Sequence, residues 1–430
     1  MNLSISDAFK NILNIAEKAF KKLHENKGYK PTDLKNTKEY QDLINGTNNV
    51  LNLAVDDNVV DGVLLSKLQK DVFLFSGLKT HAQLFEASRG LLDATGKIKS
   101  YEAFAKDFNA KNIAYNQTYL EAEYQYATSA ATMADKWNSF DDTDRYNLQY
   151  RTANDNRVRD EHAALNEVTL PKDDAFWNSY YPPNGWRCRC TAVEVLKDKY
   201  PQSDSAASSA KGEKATTQIG KDGKNRLEIF RFNTGKEKVI FPPSHPYMGT
   251  RCSNGKLSIT GLIGAPVFIL SAEKSKCEAA QIVKEIAYKK SIKNSRTKTK
   301  EALFNRMKNG SLIFDPKLEN ANLFKLSKGN IKTLVSHFHP SPIERDNFII
   351  NIERLAKKGK YIGWAEDQII NGKQKHPGVN YWQYYEYKIG NEKSYLSVKL
   401  TKEGDYNPYS IDAKKDFKKI KGLKRQNPIR

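Results

Sequence analysis

Residues 141 to 190 constrain the fold of this 430-residue chain more than any other stretch. A helical spacing of apolar residues precedes them and stops at residue 138, after which Asp, Arg, Pro, Trp and Cys follow one another without a regular period. Turn-forming and bulky residues in an aperiodic order are typical of irregular structure. The sequence therefore predicts a segment in which each side chain has its own place.

The region before this segment is predicted to be helical. Apolar side chains recur every three or four residues between positions 3 and 23, and a second stripe runs from Tyr115 to Trp137. Such stripes are the buried faces of amphipathic helices. Packing inside the chain and contact with a neighbouring subunit both fit this pattern. At 430 residues, two or more domains are expected.

Composition excludes several classes of protein. Hydrophobic residues make up 39% of the chain, its mean hydropathy is −0.69, and no apolar run approaches the length that spans a bilayer. The first residues lack the pattern of a secretory signal. Four cysteines, two of them one residue apart, make a disulfide framework unexpected and favour a reducing cytoplasm. We expect no membrane partner.

Positive charge is concentrated toward the C-terminus. The chain carries a net charge of +20, and residues 291 to 430 hold 29 Lys and Arg against 14 Asp and Glu, a net charge of +15. This asymmetry favours a polyanionic partner, nucleic acid above all. A lysine-rich surface that only confers solubility accounts for the same charge.

Changes in composition divide the chain further. Residues 1–200 form the predicted helical domain, and the small polar residues of 201–225 read as a linker. Residues 226–290 predict a β-hairpin around Asn233 to Gly235 and then a helix containing Cys277 and Ile286, either part of the first domain or separate. Residues 291–309 read as a basic connector, and 413–430 as a basic tail.

Residues 310–412 predict a small α+β domain. A short helix ends near His337, and a second begins at Ser341-Pro342, where Ser is the cap and Pro takes the first helical position. Four strands follow, at 361–365, 381–389, 395–401 and 409–411, with a turn at Gly390 and Asn391. The fold class predicted for the chain is thus a mainly α N-terminal domain plus an α+β domain with two helices and a four-stranded antiparallel sheet.

The central segment resembles the signature of the Mu F-like phage head-morphogenesis family. Asn166-Glu167 departs from it where the family usually has Gly, and Asn tolerates the left-handed conformation that Gly would supply. The positions that carry the resemblance are Arg151, Asp155, Val158, Arg159, His162, Asp173, Asp174, Phe176, Trp177, Pro182, Pro183, Trp186, Cys188, Arg189 and Cys190.

This resemblance covers residues 30 to 195 and implies a minor capsid protein of a tailed phage or prophage. It implies a few copies per particle, partners among the portal and other capsid proteins, and a location in the phage head and the host cytoplasm. It implies no enzymatic role for this domain.

The same residues also have a direct physical interpretation. The charges of Asp155, Arg157, Arg159 and Asp160 are spaced to form a network, and the two tryptophans would wedge a segment that has no core of its own. Three side chains could ligate zinc, with Cys252 or His245 completing four ligands. Buried thiols beside a hydrogen-bonded histidine are the alternative. The three are His162, Cys188 and Cys190.

Residues 325 to 412 resemble the phage nucleases grouped with barnase, EndoU, colicin and RelE toxins. The resemblance rests on the order of two helices followed by a sheet, and on the aromatic and basic run from Lys375 to Ile411. It implies a toxin or effector ribonuclease that requires no cofactor, with RNA as substrate and an immunity protein as partner.

Metal-independent RNA cleavage needs a base, an acid and cations around the phosphate. Five side chains are candidate catalytic groups: His337, His339, Lys399, Tyr409 and Ser410. Strand spacing places Ser397, Lys399 and Thr401 on one face, opposite Leu396, Val398 and Leu400. Five more are candidate nucleic-acid-binding residues: Lys360, His376, Tyr385, Lys388 and Thr401.

Two other functions stay open for this domain. The chain could be a purely structural capsid protein whose basic C-terminus contacts packaged DNA, with the histidines serving only local hydrogen bonds. Another toxin activity such as ADP-ribosylation is a further alternative, although no Gly-rich or Glu-x-Glu signature supports it.

Overall fold

A computed structural model describes residues 3–141, 144–248, 252–253, 256–257, 267–370, 372–413 and 423–425. The chain divides into two compact units, Met1–Ala287 and Tyr288–Arg430. In the described ranges, no helix is both long enough and apolar enough to cross a membrane.

Helices build the first half of the first unit, as the apolar stripes predict. Ile12, Ala16, Phe20 and Leu23 are all buried in its core. The helices are α1 (Leu3–Glu25), α2 (Asp33–Asn36), α3 (Lys38–Asp56), α4 (Gly62–Arg89), α5 (Tyr101–Ile113) and α6 (Leu120–Ser139), with a π-helical turn at Ala114–Tyr119 before α6.

The central segment is more regular than its sequence suggests. A three-stranded antiparallel sheet in the order β2-β1-β3 carries two short helices and its own core, which includes Tyr150 and Trp177. The alternation of side chains in the two longer strands is the signal for this sheet, and the many turn residues between them obscured it. The elements are β1 (Tyr146–Thr152), α7 (Asp160–Ala163), β2 (Thr169–Leu170), α8 (Phe176–Tyr180) and β3 (Cys190–Leu196).

The stretch 201–225 is not the plain linker that its composition predicts. It contains helix α9 (Ser205–Ala215), which begins where the Asp204 side chain accepts a hydrogen bond from the amide of Ala207 at 2.7 Å. A Cβ on Gly212 would lie 2.5 Å from the ring of Tyr180. Small residues in this stretch therefore permit close packing, which composition alone cannot distinguish from flexibility.

The β-hairpin expected around Asn233 to Gly235 is wrong. A 3-10 turn (Glu228–Phe230) and a short helix α10 (Thr234–Glu237) occupy its place, because the Asn233 side chain accepts hydrogen bonds from two helical amides. Phe241 stacks on Phe75, with ring centroids 3.6 Å apart. These apolar residues enter the core of the N-terminal helices and do not alternate across a hairpin.

The expected basic connector at 291–309 is wrong as well, since most of it is helical. Two short strands, β4 (Cys252–Ser253) and β5 (Lys256–Leu257), precede one long helix, α11 (Val267–Asn305). The predicted helical residues Cys277 and Val283 are buried, and Leu303 near the C-terminal end is buried too. The lysines of this segment lie on a helix that its apolar residues anchor, so they do not mark a flexible connector.

The second unit is α+β, but its sheet has six strands where four were predicted. The strand order is β6-β7-β13-β12-β11-β8, and all neighbours are antiparallel except the parallel pair β7 and β13. The two missed strands are four residues long and precede the helices, so they give little periodicity. The strands are β6 (Ser311–Phe314), β7 (Phe324–Ser327), β8 (Lys360–Glu366), β11 (Val379–Ile389), β12 (Glu392–Thr401) and β13 (Tyr406–Ala413).

Three helices follow β7: α12 (Lys328–Ser336), α13 (Pro342–Ile350) and α14 (Ile352–Leu355). Helix α13 begins after Ser341 with Pro at its start, as predicted, although the Ser341 side chain donates and accepts no cap bond. A two-residue turn at Gly390, with φ of +60°, joins β11 and β12. A separate hairpin, β9 (Ile369–Ile370) and β10 (Lys373–Gln374), follows β8. Most of the predicted basic tail lies outside the described residues.

Candidate functional sites

Charged side chains tie the central motif together. Asp155 forms an ion pair with Arg189, and Arg157 Nη2 lies 3.6 Å from the same carboxylate. Arg159 was expected to join this network of charges. Its Nη2 instead donates a hydrogen bond to the carbonyl oxygen of Trp186 at 2.6 Å. The network predicted for these charges thus divides into an ion-paired cluster and an arginine that braces a loop.

Aromatic residues fill the space beneath the motif. Trp177 is fully buried, and its carbonyl oxygen accepts a hydrogen bond from Asn233 Nδ2 at 2.9 Å. The Trp186 ring lies 5.1 Å from the Tyr126 ring and 5.2 Å from the Phe230 ring. Both tryptophans therefore hold the motif against residues distant in sequence.

Asp174 and Arg151, two further residues of the motif, make local contacts. Asp174 Oδ1 accepts hydrogen bonds from the amide of Phe176 at 2.8 Å and from Ser205 Oγ at 3.0 Å. Arg151 is exposed, and its Nε donates to Gln149 at 2.8 Å. The left-handed residue of the turn is Glu167, with φ of +65°, and not the neighbouring asparagine.

Three potential metal ligands converge on one point of the motif. His162 Nδ1 lies 3.6 Å from Cys188 Sγ and 3.5 Å from Cys190 Sγ, and the three donor atoms all lie within 4.8 Å of one another. On the other side of the ring, Arg159 Nη1 lies 3.2 Å from His162 Nε2. The three side chains that the sequence predicted as possible shared ligands therefore lie close together.

Cys252 and His245, the two candidates for a fourth ligand, both lie outside this cluster. Cys252 forms a disulfide with Cys277, so its thiol is not available to a metal and the chain is not disulfide-free. His245 is buried among aromatic rings, where its Nδ1 accepts a hydrogen bond from the amide of Tyr247 at 3.2 Å. Neither residue joins the cluster.

The two motif thiols have opposite acidities. A hydrogen bond from Cys190, reinforced by His162, holds the pKa of Cys188 well below its ordinary value. The proximity of Cys188, together with burial, raises the pKa of Cys190. Their surroundings thus shift the pKa values of the two thiols in opposite directions.

A second candidate site lies on the face of the six-stranded sheet that is opposite to its core. Leu396 and Val398 pack into that core, whereas Ser397 and Lys399 belong to the other face, as the strand spacing predicts. Trp382 pairs with Lys399 in the register of β11 and β12. We refer to the surface of the sheet that carries Trp382, Ser397 and Lys399 as the open face.

Tyr409 lies at the centre of the open face. Its ring is 5.2 Å from His337, 5.8 Å from His376 and 5.1 Å from Trp382, measured between ring centroids. Lys399 Nζ lies 5.8 Å from the same ring. Candidates that are 72 residues apart in sequence are therefore gathered around one aromatic side chain.

An Asp and His pair lies on this face. His376 Nδ1 lies 2.8 Å from Asp367 Oδ1, which also accepts a hydrogen bond from Trp382 Nε1 at 2.9 Å. Burial opposes ionisation of Asp367, but the hydrogen bonds from Trp382 and His376 outweigh it and hold its pKa below the usual value. The carboxylate therefore fixes the orientation of the imidazole.

A cavity of about 210 Å³ opens beside this pair. Ser410 lines it and donates to Asp412 Oδ2 at 2.6 Å, and His337 Nδ1 lies 3.9 Å from Asp412 Oδ1. Two histidines, each near a carboxylate, thus stand near one small polar cavity. Its lining residues are Glu366, Asp367, Gln368, Lys375, His376, Trp382, Tyr384, Ser397, Tyr409 and Ser410.

Some sequence candidates lie elsewhere. His339 is buried, where its Nε2 lies 3.0 Å from Ser394 Oγ, and burial lowers its pKa. Tyr385 is buried in the core and donates to the carbonyl oxygen of Glu319. Lys360, Lys388 and Thr401 do not line the cavity. The sequence missed Asp367 and Asp412, since single carboxylates at strand ends give no motif.

The chain therefore contains two units of different structural class. The first unit is a helical assembly with a rigid Trp- and Cys-containing motif, and the second is a small α+β unit with a polar cavity on its open face.

Comparison with known proteins bears on the first unit. Residues 91–193 match the sequence model of the family described as "Phage Mu protein F like protein". The chain is 32% identical over 102 residues to "Putative capsid assembly protein F" of Escherichia phage Mu, covering 23% of this chain and 21% of that protein. It is 34% identical over 104 residues to "Mu-like prophage FluMu F protein" of Haemophilus influenzae, covering 23% and 24%.

These comparisons confirm the Mu F-like resemblance of the central segment. The matched residues span about a quarter of the chain, and they span about a fifth to a quarter of each curated relative. No solved structure matches the chain. The matched range ends at residue 193, so the resemblance of the second unit to nucleases stays a prediction.

Proposed function

We propose that this chain is a head-morphogenesis protein of a tailed phage or prophage, and that its first unit assembles with other capsid proteins, the portal among them. The observation that carries this proposal is the match over residues 91–193 to proteins named for capsid assembly. Within the matched range, Arg159 donates a hydrogen bond to the carbonyl oxygen of Trp186, which ties the start of helix α7 to the segment before strand β3.

Genetic complementation tests the head role. A prophage that encodes the chain is induced with and without its gene, and the deletion strain receives wild-type or variant copies. Trp186→Ala removes a ring that packs on Tyr126 and Phe230, so it should fail to restore infectious particles. Lys67→Ala, at an exposed residue outside the matched range, should restore them. Normal particle yield from the deletion strain would contradict the proposal.

We further propose that the second unit is a metal-independent ribonuclease that acts as a toxin or effector. The observation in its favour is the gathering of His337, His376 and Lys399 around Tyr409. Transfer of a 2′-hydroxyl proton, protonation of the departing 5′-oxygen and stabilisation of the phosphate require two proton-transfer groups and a cation. The open face supplies all three within one small area.

In this mechanism His376 is the base, because Asp367 holds its Nδ1 and leaves Nε2 as the acceptor. His337 is the acid, and Lys399 stabilises the negative charge of the pentacoordinate phosphate. Tyr409 is partly exposed and lines the cavity, so a base can stack on its ring, whereas Trp382 is buried and holds Asp367. RNA is the substrate because only RNA carries the 2′-hydroxyl that attacks the phosphate.

The assay uses the purified full-length chain and a short RNA in the presence of a chelator. We expect products that end in a 2′,3′-cyclic phosphate, and no cleavage of the same sequence with a 2′-deoxy group at the scissile position. Lys399→Ala should lose activity, whereas Lys402→Ala, an exposed lysine three residues away, should retain it. DNA binding without RNA cleavage would favour the structural alternative, in which the basic unit contacts packaged DNA.

A further inference from the structure

The strongest unassigned chemistry in the molecule is the cluster of His162, Cys188 and Cys190. Its imidazole Nδ1 is nearly equidistant from the two sulfur atoms, at 3.6 and 3.5 Å. Zinc bonds of about 2.3 Å to sulfur and about 2.0 Å to nitrogen, set at a tetrahedral angle, separate such ligand atoms by about 3.5 Å. The imidazole nitrogen already lies at that spacing from both sulfur atoms, and all three donor atoms lie within 4.8 Å of one another.

The backbone explains how a Cys-x-Cys spacing meets this geometry. Cys190 is the first residue of strand β3, and Cys188 lies two residues before it. The amide of Ala153 donates to the carbonyl oxygen of Arg189 at 2.9 Å, which continues the pairing with β1, and residues two apart in such a segment direct their side chains to the same side. The intervening Arg189 points to the opposite side, where it pairs with Asp155. A Cys-x-Cys spacing is therefore suited to binding a metal at the start of a strand.

Burial and surroundings also suit an ion. His162 and Cys190 are buried, and only part of Cys188 is exposed. Two thiolates and a neutral imidazole would neutralise a divalent cation, so the site would carry no net charge. A soft sulfur-rich donor set with tetrahedral spacing favours zinc over the harder cations.

We propose that His162, Cys188 and Cys190 bind one zinc ion through three protein ligands, with water as the fourth. Across the described ranges, no other His, Cys, Asp or Glu reaches the cluster, and Cys252 is committed to its disulfide. The ion joins helix α7 to the start of strand β3. It therefore fastens the two halves of the motif and stabilises the folded state.

Arg159 sets one condition for binding. A guanidinium only donates hydrogen bonds, so its Nη1 makes His162 Nε2 an acceptor and places the ring proton on Nδ1, facing the sulfurs. Zinc must displace that proton, and Nη1 must then move away from the Nε2 proton. The second bond of Arg159, to the carbonyl oxygen of Trp186, can persist.

The test is the metal content of the full-length chain, purified without chelators. We expect about one zinc per chain, in line with a single site of three protein ligands. Cys188→Ser and Cys190→Ser should each lose the metal. The double variant Cys252→Ser with Cys277→Ser is the matched control, because it removes two sulfurs outside the cluster and should keep its zinc.

Cobalt substitution decides the case if the serine variants do not fold. Metal-free wild-type protein titrated with Co²⁺ should gain a thiolate-to-cobalt charge-transfer band and the intense visible bands of tetrahedral cobalt. Substoichiometric zinc in wild-type protein, together with no such bands on titration, would overturn the proposal. The cluster would then be two buried thiols beside a hydrogen-bonded histidine.

Discussion

His376 and Asp367 form a hydrogen-bonded pair in which the imidazole Nδ1 lies 2.8 Å from the carboxylate Oδ1. The same carboxylate oxygen accepts the indole N–H of Trp382, and its partner oxygen accepts the backbone amide of His376. Three donors thus fix one carboxylate, and the carboxylate in turn fixes the ring. In the proposed ribonuclease this pair holds the base in its active tautomer.

Replacing His376 by Asn should therefore lower the rate of RNA cleavage by about 10²–10⁴-fold, the usual contribution of a general base. Asp367→Asn should also slow cleavage, because an amide presents a donor as well as an acceptor to the ring and no longer selects its tautomer. Single-turnover rates measure both effects. Unchanged rates in both variants, with unchanged stability, would remove the pair from the mechanism.

His339 should behave differently from His376, although the sequence does not separate them. It is buried and hydrogen-bonded to Ser394 at 3.0 Å. His339→Ala should lower the free energy of unfolding by about 1–3 kcal/mol, because the Ser394 hydroxyl loses one of its two partners and the amide of Ser341 loses its imidazole acceptor. Denaturant unfolding measures this loss. Cleavage at a temperature where the variant is folded should persist, and its complete loss would give His339 a chemical role.

A buried ion pair makes a separate test of the first unit. Lys79 and Glu123 are ion-paired and almost wholly buried, and burial lowers the pKa of Lys79 and raises that of Glu123. Lys79→Met alone should cost about 3–5 kcal/mol, since it leaves an uncompensated buried carboxylate. The double variant Lys79→Met with Glu123→Leu should recover most of that loss. Equal stability of the single and double variants would show that the pair is not coupled.

The buried histidines of the first unit predict a loss of stability in acid. Burial lowers the pKa of His81 and of His245 to about 3. Below about pH 6.5 the unfolded chain binds protons that the folded chain excludes, so stability falls as the pH decreases toward 3. Asp71 acts in the opposite direction between about pH 4 and 6, because burial raises its pKa to about 6.

The variant His81→Gln isolates one of these groups. Its free energy of unfolding should fall less between pH 7 and pH 4 than that of wild type, because a glutamine takes up no proton (the pH range follows from the ordinary histidine pKa of about 6.5). Urea titrations at the two pH values supply the comparison. An identical fall in both proteins would mean that His81 is protonated in the folded state.

Elements with strong periodicity could be predicted from the sequence. The stripe containing Ile12 and Phe20 predicted α1, and the alternation around Lys399 predicted strand β12 and its polar face, from which Ser397 lines the cavity. In each of these elements one face packs against a single hydrophobic core, so the spacing of the apolar residues is enough to predict the element. Short strands such as β6 and β7 bury few residues, so they produce no recognisable alternation in the sequence.

The errors share a physical cause as well. Gly235 lies so close to Trp137 that a Cβ would meet it at 2.2 Å, and Gly212 packs on Tyr180 in the same way. Small residues that allow close packing look identical in sequence to residues that allow flexibility. The disulfide of Cys252 and the carboxylates Asp367 and Asp412 depend on tertiary proximity, which single-sequence patterns do not encode.

The most direct test of the account is quantitative mass spectrometry of gradient-purified phage heads from an induced prophage that encodes this chain. We predict that peptides from both units copurify with the major capsid and portal proteins, at a few copies per particle. His376→Asn should leave this incorporation unchanged, because we propose the open face for RNA cleavage and not for assembly. Infectious heads that contain no peptide of the chain would contradict its role in head morphogenesis.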